Sequence, residues 1–269
     1  MKDIKVGNVI FGKDNLGIIA GPCVIENRDH SLEMSVAIKE VSDDVGIPII
    51  FKSSFSPIVK EGLDASASLF TLSGETLAQA IALPFHLATL IPMVRKVLEE
   101  FPLDTMEDGD IFIMNDPYLG GTHLPDIALI MPIFEGGVPI ALSAAMTHHQ
   151  DVGGMTPGSV PTNATEIFQE GIRIPPLKYY SRGVVNSTLI KILRLNVRLP
   201  DSFEGDLNAQ VAACQIGRRR LVSLAEKYGA EKIKYIFSEL LDRSEIMTRD
   251  AIKDLPNAVS YTHLRAHET

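Results

Sequence analysis

Residues 109–154, GDIFIMNDPYLGGTHLPDIALIMPIFEGGVPIALSAAMTHHQDVGG, decide the fold of this chain. Two long apolar runs, residues 127–134 and 138–147, flank the turn residues Glu-Gly-Gly, and this pattern predicts an antiparallel hairpin. A third apolar run, residues 110–115, predicts a further strand just before them. A polar cluster rich in His, Asp and Gly precedes the first long run, and another follows the second. The hairpin would therefore bring these two clusters together at its open end.

These two clusters contain the side chains that usually bind divalent metals. The first, NDPYLGGTHLPD, ends in His123 and Asp126, and the second, THHQDVGG, contains His148, His149 and Asp151. If the two long strands pair, the open end of the hairpin brings His148 close to Asp126. Three protein ligands would leave coordination positions open for water or substrate, as catalytic metals require. The alternative is ordinary hydrogen bonding within two loops, and spacing alone leaves both open.

Three further features lie outside this hairpin. His86, in LPFHLA, fits a buried histidine near a helix start better than a ligand. Glu170, in EIFQEGIRIPP, fits either a carboxylate that supports the site or a general base, and a surface glutamate is the alternative. Residues 152–165 are rich in Gly, Pro, Thr and Ser, which is typical of a loop that covers a site.

Composition limits the classes of function. The chain has 45% hydrophobic residues and a net charge of −9, so it can form a substantial core and is a poor match for nucleic acid. Its one basic cluster, Arg218-Arg219-Arg220, fits a solvated helical face. Cys23 and Cys214 make no disulfide framework, which fits a cytoplasmic protein, and no apolar run reaches the ~18 residues that span a bilayer.

The first 55 residues predict a small βαβ unit. Residues 16–25 and 48–55 have the composition of strands, and residues 33–45 have apolar positions at helical spacing between them. Gly46 and Pro48 would end this helix. Strand, helix and strand in this order predict parallel pairing.

From residue 56 onwards, an α+β pattern replaces this unit. DASASLFT and TLAQA predict a hairpin with its turn at Ser-Gly-Glu, and residues 85–101 predict a helix with Leu90, Val94, Val97 and Leu98 on its apolar face. Residues 187–254 predict consecutive helices. The expected fold class is therefore α+β, with a mixed, mainly antiparallel sheet and a C-terminal helical region, preceded by the short βαβ segment.

We expect three segments along the chain. Residues 1–55 form the partial βαβ segment, residues 56–257 the α+β domain, and residues 258–269 a tail. The tail, AVSYTHLRAHET, has no apolar face and resembles a translated adapter sequence, so we expect it to be artefactual and disordered. We accordingly assign no function to His263 and His267.

Four motifs in the same order resemble one family over about residues 54–257. They are SPIVKEGLDASASLF, GDIFIMNDPYLGGTHLPD, THHQDVGG and EIFQEGIRIPP, and the family is the hydantoinase B / 5-oxoprolinase family. This family includes N-methylhydantoinase B-type subunits and the alpha subunits of acetone and acetophenone carboxylases. The resemblance implies that His123, Asp126 and His148 bind a divalent metal, which would be Mn, Zn or Fe.

The same resemblance implies catalytic positions and a partner. Glu170, His149 and Asp151 match family positions near the site and are the catalytic candidates, and His86 also matches such a position. Family members work with a hydantoinase A-type subunit that binds ATP, and this chain has neither a P-loop nor a GxGxxG motif. The implied chemistry on a small-molecule substrate is ATP-dependent hydrolysis of cyclic amides of the hydantoin or 5-oxoproline type, or carboxylation of a ketone.

The N-terminal segment resembles a different family. IAGPCVIENRDHSLEMSVAIKE and GIPIIFKSSF are similar to the start of 3-deoxy-octulosonate 8-phosphate synthase, a TIM barrel that condenses phosphoenolpyruvate with arabinose 5-phosphate. Cys23 matches a metal ligand of that family and Lys52 a lysine that contacts phosphoenolpyruvate. The match ends at Phe55, and two strands cannot close an eight-stranded barrel. The expected function is thus a fragment of a hydantoinase B-type subunit, with the synthase or an inactive chimeric fragment as alternatives.

Overall fold

The structure is a computed structural model, and it describes residues 4–6, 9–11, 50, 52–80 and 84–253. The predicted N-terminal helix, the strand before it, Cys23 and the predicted tail lie outside these residues. Within the described part, no helix combines the length and the apolar character needed to cross a membrane.

The N-terminal segment contains a short antiparallel pair, β1 (Ile4–Val6) and β2 (Val9–Phe11). The strand predicted at residues 48–55 is wrong where the structure describes it. Residues 50, 52 and 53 are helical, and the Ser54 amide donates to the Ile50 carbonyl over 2.9 Å. Ile50 and Ser54 are buried whereas residues 52 and 53 are exposed, so this run buries its side chains at helical spacing rather than at the alternating spacing of a strand.

Seven strands form one antiparallel sheet, which confirms the predicted α+β class. The strand order is β4-β3-β7-β6-β5-β8-β9. The predicted hairpin of residues 109–154 is confirmed as the two longest strands, paired from Asp126↔His148 to Glu135↔Val138. The strands are β3 (Ala65–Phe70), β4 (Thr76–Gln79), β5 (Ile111–Met114), β6 (Asp126–Glu135), β7 (Val138–His148), β8 (Leu177–Ser181) and β9 (Val184–Val185).

Helices cover both faces of the sheet. They are α1 (Pro57–Lys60), α2 (Pro84–Glu100), α3 (Ser187–Asn196), α4 (Pro200–Tyr228) and α5 (Ala230–Lys253). The predicted helix at 85–101 is thereby confirmed, and so is the C-terminal helical region. Successive residues of a strand point to opposite faces of the sheet. Since the central strands are buried at consecutive positions, both of their faces are covered.

Each face has its own core. On the α2 side, Ala128 and Ile130 of β6 pack with Leu90, Val94 and Val97 of the helix. On the other side, Ile127 and Leu129 of the same strand belong to the core of α4, which includes Phe203, Leu207 and Leu221. Each fully buried large apolar side chain contributes roughly 1.5–3 kcal/mol. The central strands and the two helices therefore form the rigid frame on which the loops at the strand ends are held.

Helix α4 packs closely against the sheet at Gly217. A Cβ atom on Gly217 would come within 2.7 Å of the Ser143 hydroxyl on β7. A larger residue here would push the helix away from β7, so glycine permits the close approach. This contact brings the polar side chains of α4 within reach of the strand backbones.

Candidate metal centre

Asp126 and His148 are cross-strand partners at the open end of the β6–β7 hairpin. They are the last pair of the ladder, and the Asp126 Oδ1 atom lies 3.3 Å from His148 Nδ1. Asp126 is 1% exposed, and the Thr122 hydroxyl donates to its Oδ2 atom over 2.6 Å. The hairpin register thus supplies a buried carboxylate and an imidazole side by side, as the sequence predicts.

The loop before β6 brings His123 to the same carboxylate. The His123 Nδ1 atom is 3.1 Å from Asp126 Oδ2, and the Asp126 amide donates to the His123 carbonyl. Asn115 fixes this loop, because its amide nitrogen donates to the Leu124 carbonyl and its amide oxygen accepts from the Ile174 amide. Asn115 of the predicted turn Asn115-Asp116-Pro117 therefore holds the loop that contains His123.

These three side chains converge in a geometry that can hold a metal ion. One donor atom from each of His123, Asp126 and His148 lies within 4.8 Å of the other two. The two imidazole rings meet edge to face with their centroids 4.9 Å apart. The His123 Nδ1 and Asp126 Oδ1 atoms are buried, and neither has a hydrogen bond despite the short contacts. Two imidazoles and a carboxylate whose donor atoms face one another fit a divalent cation such as Zn, Mn or Fe.

Two more residues extend this group into a cluster of five. His86, on the first turn of α2, has its Nε2 atom 3.5 Å from Asp126 Oδ2 and 3.5 Å from Asp64 Oδ1. Asp64 also approaches His148, with an Oδ2–Nδ1 distance of 3.9 Å, and its carbonyl accepts from the His148 amide. The predicted burial of His86 is confirmed at 2% exposure.

Asp64 is the residue that sequence reasoning missed. It directly precedes β3, and the pairing of β3 with β7 brings it beside His148. The sequence signal was an acidic residue directly before a predicted strand. This signal points to the site only when β3 is known to pair with β7.

Contacts within the cluster shift the pKa values of Asp126 and His123. Burial by itself would raise the pKa of Asp126, but contacts with His123, His148, His86 and the Thr122 hydroxyl outweigh this and hold its pKa well below the usual range. The neighbouring Asp126 carboxylate in turn raises the pKa of His123. Asp126 is therefore ionised at neutral pH and offers a negative charge to a cation.

His149 points away from these ligands, into the core under α4. Its ring is fully buried, lies against Phe203 with centroids 4.7 Å apart, and has Nε2 3.0 Å from the Gln210 amide oxygen. Burial lowers the pKa of His149 below the ordinary value. The catalytic role that the family resemblance implies for His149 stays a prediction. In the structure, the ring contacts Phe203 and Gln210 of α4.

Asp151 organises the glycine-rich loop that follows. Its two oxygens accept from the amides of Gly153, Gly158 and Arg198 and from the Arg198 guanidinium, at 3.0–3.1 Å. The guanidinium also donates to the carbonyls of Gly153 and Gly154. Four donors occupy the lone pairs of the carboxylate, so a role in proton transfer, which stays a prediction, would require these bonds to break.

Glu170 lies next to that same loop. It ends the short 3-10 turn Ile167–Gln169, and the Met155 amide donates to the Gln169 carbonyl over 2.7 Å. A Cβ atom on Gly154 would come within 2.6 Å of the Glu170 carbonyl carbon, so the two segments are in tight backbone contact. Glu170 is partly exposed. Its role as general base stays a prediction.

Comparison with known proteins identifies the family of this chain. The sequence model of the hydantoinase B/oxoprolinase family matches residues 37–268. The chain belongs to the hydantoinase B/oxoprolinase family. The match contains every residue of the cluster and extends beyond both ends of the region in which the sequence motifs were found. A second model, described as the DAHP synthetase I family, matches residues 2–57 only.

Individual members of the family are similar over most of this chain. A putative B-type subunit of a D-/L-hydantoinase from Pseudomonas sp. is 35% identical over 211 residues, which is 77% of this chain and 36% of that protein. The crystal structure of the ATP-dependent caprolactamase from Pseudomonas jessenii superimposes with a TM-score of 0.78 at 30% identity. That match covers 87% of this chain and 40% of the caprolactamase chain, so the chain spans well under half the length of these relatives.

A third similarity concerns the fold alone. The nucleotide-free structure of acetone carboxylase, an enzyme of ATP-dependent acetone carboxylation, superimposes with a TM-score of 0.72 at 23% identity. The superposition covers 78% of this chain and 28% of the acetone carboxylase chain. Most of the fold described above is therefore shared with that enzyme.

Proposed function

We propose that this chain forms the metal-binding part of an enzyme that hydrolyses cyclic amides with the use of ATP. The observation that carries the proposal is the convergence of His123, Asp126 and His148 at the end of one hairpin. The similarity to a hydantoinase subunit and to a caprolactamase supports the substrate class, because hydantoin and caprolactam both contain an amide bond within a ring.

The proposed metal ligands are His123, Asp126 and His148, and Asp64 is a further candidate because it lies beside His148. A divalent ion bound here would polarise a substrate carbonyl and lower the pKa of a bound water molecule toward ~7. Asp126 contributes the buried negative charge that retains the cation. His86, within 3.5 Å of both carboxylates, would keep Asp64 and Asp126 in position.

Proton transfer needs a separate group. Glu170 is our candidate general base, because its side chain is only partly buried and its segment contacts the loop that follows His148. The Asp151 carboxylate, which accepts four hydrogen bonds, would hold that loop in place. The His149 ring is hydrogen-bonded to Gln210 of α4 and would hold the chain next to His148 in place.

ATP would bind to a partner subunit of the hydantoinase A type. The sequence contains no P-loop and no GxGxxG motif, and relatives are described as subunits of larger enzymes. Residues of this chain would then act on a substrate that the partner activates.

Carboxylation of a ketone is the second candidate. The fold shared with acetone carboxylase, and 27% identity to the acetophenone carboxylase delta subunit, favour it. The same three ligands would serve either reaction, because each needs a polarised carbonyl oxygen. We do not propose synthase activity, since the second family match ends at residue 57.

Metal analysis tests the site. The purified chain is loaded with Zn, Mn or Fe, dialysed, and analysed by elemental mass spectrometry beside His123→Ala, Asp126→Ala and His148→Ala. We expect about one ion per wild-type chain and a large loss in each variant. Asp104→Ala, a change on an exposed turn, is the matched control and keeps the metal. Equal metal content in all five proteins would refute the site.

Reconstitution tests the reaction. The chain is combined with a hydantoinase A-type subunit and ATP, and phosphate release is measured with hydantoin, 5-oxoproline or caprolactam, and separately with acetone and bicarbonate. Release that depends on a cyclic amide and is lost in Asp126→Ala supports the first candidate. Release that depends on the ketone and bicarbonate supports the second.

A further inference from the structure

Gln210 of α4 contacts both strands that carry the proposed ligands. Its amide nitrogen donates to the Ile127 carbonyl on β6 over 2.8 Å and to the Ala145 carbonyl on β7 over 3.1 Å. Its amide oxygen is 3.0 Å from His149 Nε2. Gln210 and His149 are both 0% exposed, so these contacts are made without competition from water.

The orientation of the amide is determined by its partners. Two carbonyl oxygens require the amide nitrogen to face them, because a carbonyl can only accept a hydrogen bond. The amide oxygen of Gln210 is then the acceptor, so His149 Nε2 must carry a hydrogen and donate this hydrogen bond. The Gln210 side chain therefore makes three hydrogen bonds that define one arrangement of β6, β7 and the residue after β7.

Two of these bonds lie next to a proposed ligand in sequence. Ile127 follows Asp126 directly, and His149 follows His148 directly. We propose that Gln210 is a positioning residue for the metal centre, which holds the two strand ends so that Asp126 and His148 face one another. This inference rests on the proposed function, since it assigns a residue that supports the same site.

The same face of α4 supports the remaining acidic segment. Asp206, one turn before Gln210, accepts from the amides of Phe55 and Ser56 at 2.7 Å and 3.2 Å. That segment leads through α1 to Asp64. Phe203, a further turn back, packs against the His149 ring. One face of a single helix thus contacts Ile127 and His149, which follow Asp126 and His148, and the segment that precedes α1.

Metal affinity distinguishes a positioning residue from a core residue. Gln210→Leu keeps the volume but removes the side-chain donor to the Ile127 and Ala145 carbonyls and leaves the His149 ring N–H buried without its acceptor. Cys214→Ala is the matched control, because Cys214 is buried one turn further along α4 and its thiol donates to the Leu129 carbonyl, which is not next to a proposed ligand in sequence. Zn²⁺ affinity is measured by competition with a chelating dye, and the Co²⁺ form by visible absorption, on the full chain.

We expect Gln210→Leu to weaken Zn²⁺ binding about 10–100-fold, as loss of groups that orient metal ligands does, and to change the Co²⁺ spectrum. Cys214→Ala should leave both unchanged. A second pair of variants tests the proposal if Gln210→Leu folds poorly. His149→Leu should weaken Zn²⁺ binding, whereas His149→Gln, which retains an N–H donor, should bind Zn²⁺ with most of the wild-type affinity.

The outcomes separate the two proposals. If wild-type binding of Zn²⁺ does not depend on His123, the metal centre itself is refuted. If it does depend on His123, but Gln210→Leu and His149→Leu bind Zn²⁺ and Co²⁺ as Cys214→Ala does, the positioning role is refuted and the metal centre stands.

Discussion

Asp126 and His148 are paired across two strands, with Oδ1 and Nδ1 3.3 Å apart. A shift of one residue in this register would turn one of the two side chains to the opposite face of the sheet. The apolar residues of β6 and β7 are buried on both faces, so such a shift would also disturb both cores. The packing that stabilises the hairpin therefore also sets the geometry of the candidate metal centre.

The two carboxylates of the cluster should contribute unequally. Asp126→Asn should weaken Zn²⁺ binding by more than about 100-fold, since it removes the central, 1% exposed charge, whereas loss of an outer partner typically costs 10–100-fold. Asp64→Asn should weaken it less, because the Asp64 side chain is 27% exposed. Calorimetric titration of both variants measures the difference. A stronger effect of Asp64→Asn would reverse the proposed hierarchy.

The Asp151–Arg198 pair should make stability depend on pH. Burial by itself would raise the pKa of Asp151, but hydrogen bonds from the amides of Arg198, Gly153 and Gly158 and from the Arg198 guanidinium lower it. A carboxyl whose pKa is lower in the folded chain stabilises the fold above its unfolded pKa of ~3.9, and this contribution is lost as the pH falls.

Asp151→Asn should therefore reduce the free energy of unfolding by about 2 kcal/mol at pH 7, and by less at pH 4 and below. Denaturant unfolding of both proteins across this pH range checks the prediction. A difference that stays constant with pH would show that the carboxylate charge is not the cause. Asp104→Asn, on an exposed turn, should show no such effect.

Cys214 should resist alkylation in the folded chain. Burial raises the pKa of its thiol to about 12, so almost no thiolate is present at pH 8. Iodoacetamide labelling followed by mass spectrometry of the Cys214 peptide should show little modification without denaturant and complete modification in its presence. Equal labelling rates in the two conditions would mean that α4 opens readily from the sheet.

The loop before His123 should not tolerate a side chain at Gly121. A Cβ atom there would lie 2.5 Å from the Asn115 carbonyl oxygen and 2.9 Å from that of Asp116. Gly121→Ala should cost about 1–3 kcal/mol and weaken metal binding, because the loop must move and His123 moves with it. Thermal unfolding and dye competition measure the two effects.

Gly136→Ala is the matched control for this change. Gly136 lies in the turn at the far end of the same hairpin, with φ +57° and no atom within 4 Å of the place that an alanine methyl group would take. The substitution should cost about 1–2 kcal/mol through its left-handed backbone and leave metal affinity unchanged. A loss of affinity in this control would indicate that general destabilisation, and not the position of His123, governs binding.

Local patterns predicted most of the sheet correctly. The alternating and continuous apolar runs around Glu-Gly-Gly identified β6 and β7, and the helical spacing of Leu90, Val94 and Val97 identified α2. The strand predicted at 48–55 failed because its apolar composition suits either element, and only the burial of Ile50 with Ser54 distinguishes them.

The sequence by itself predicted the hairpin of β6 and β7, with His148 close to Asp126 at its open end. The hairpin follows from turn chemistry and strand periodicity, which act over a few neighbouring residues, whereas the family resemblance implied that His123, Asp126 and His148 bind a metal. Only the tertiary structure brought Asp64 and Gln210 to this end of the hairpin, and it placed His86, which the resemblance had put near the site, within 3.5 Å of both carboxylates. Their positions depend on the strand order and on how closely α2 and α4 pack against the sheet, and such contacts between distant segments leave no local pattern in the chain.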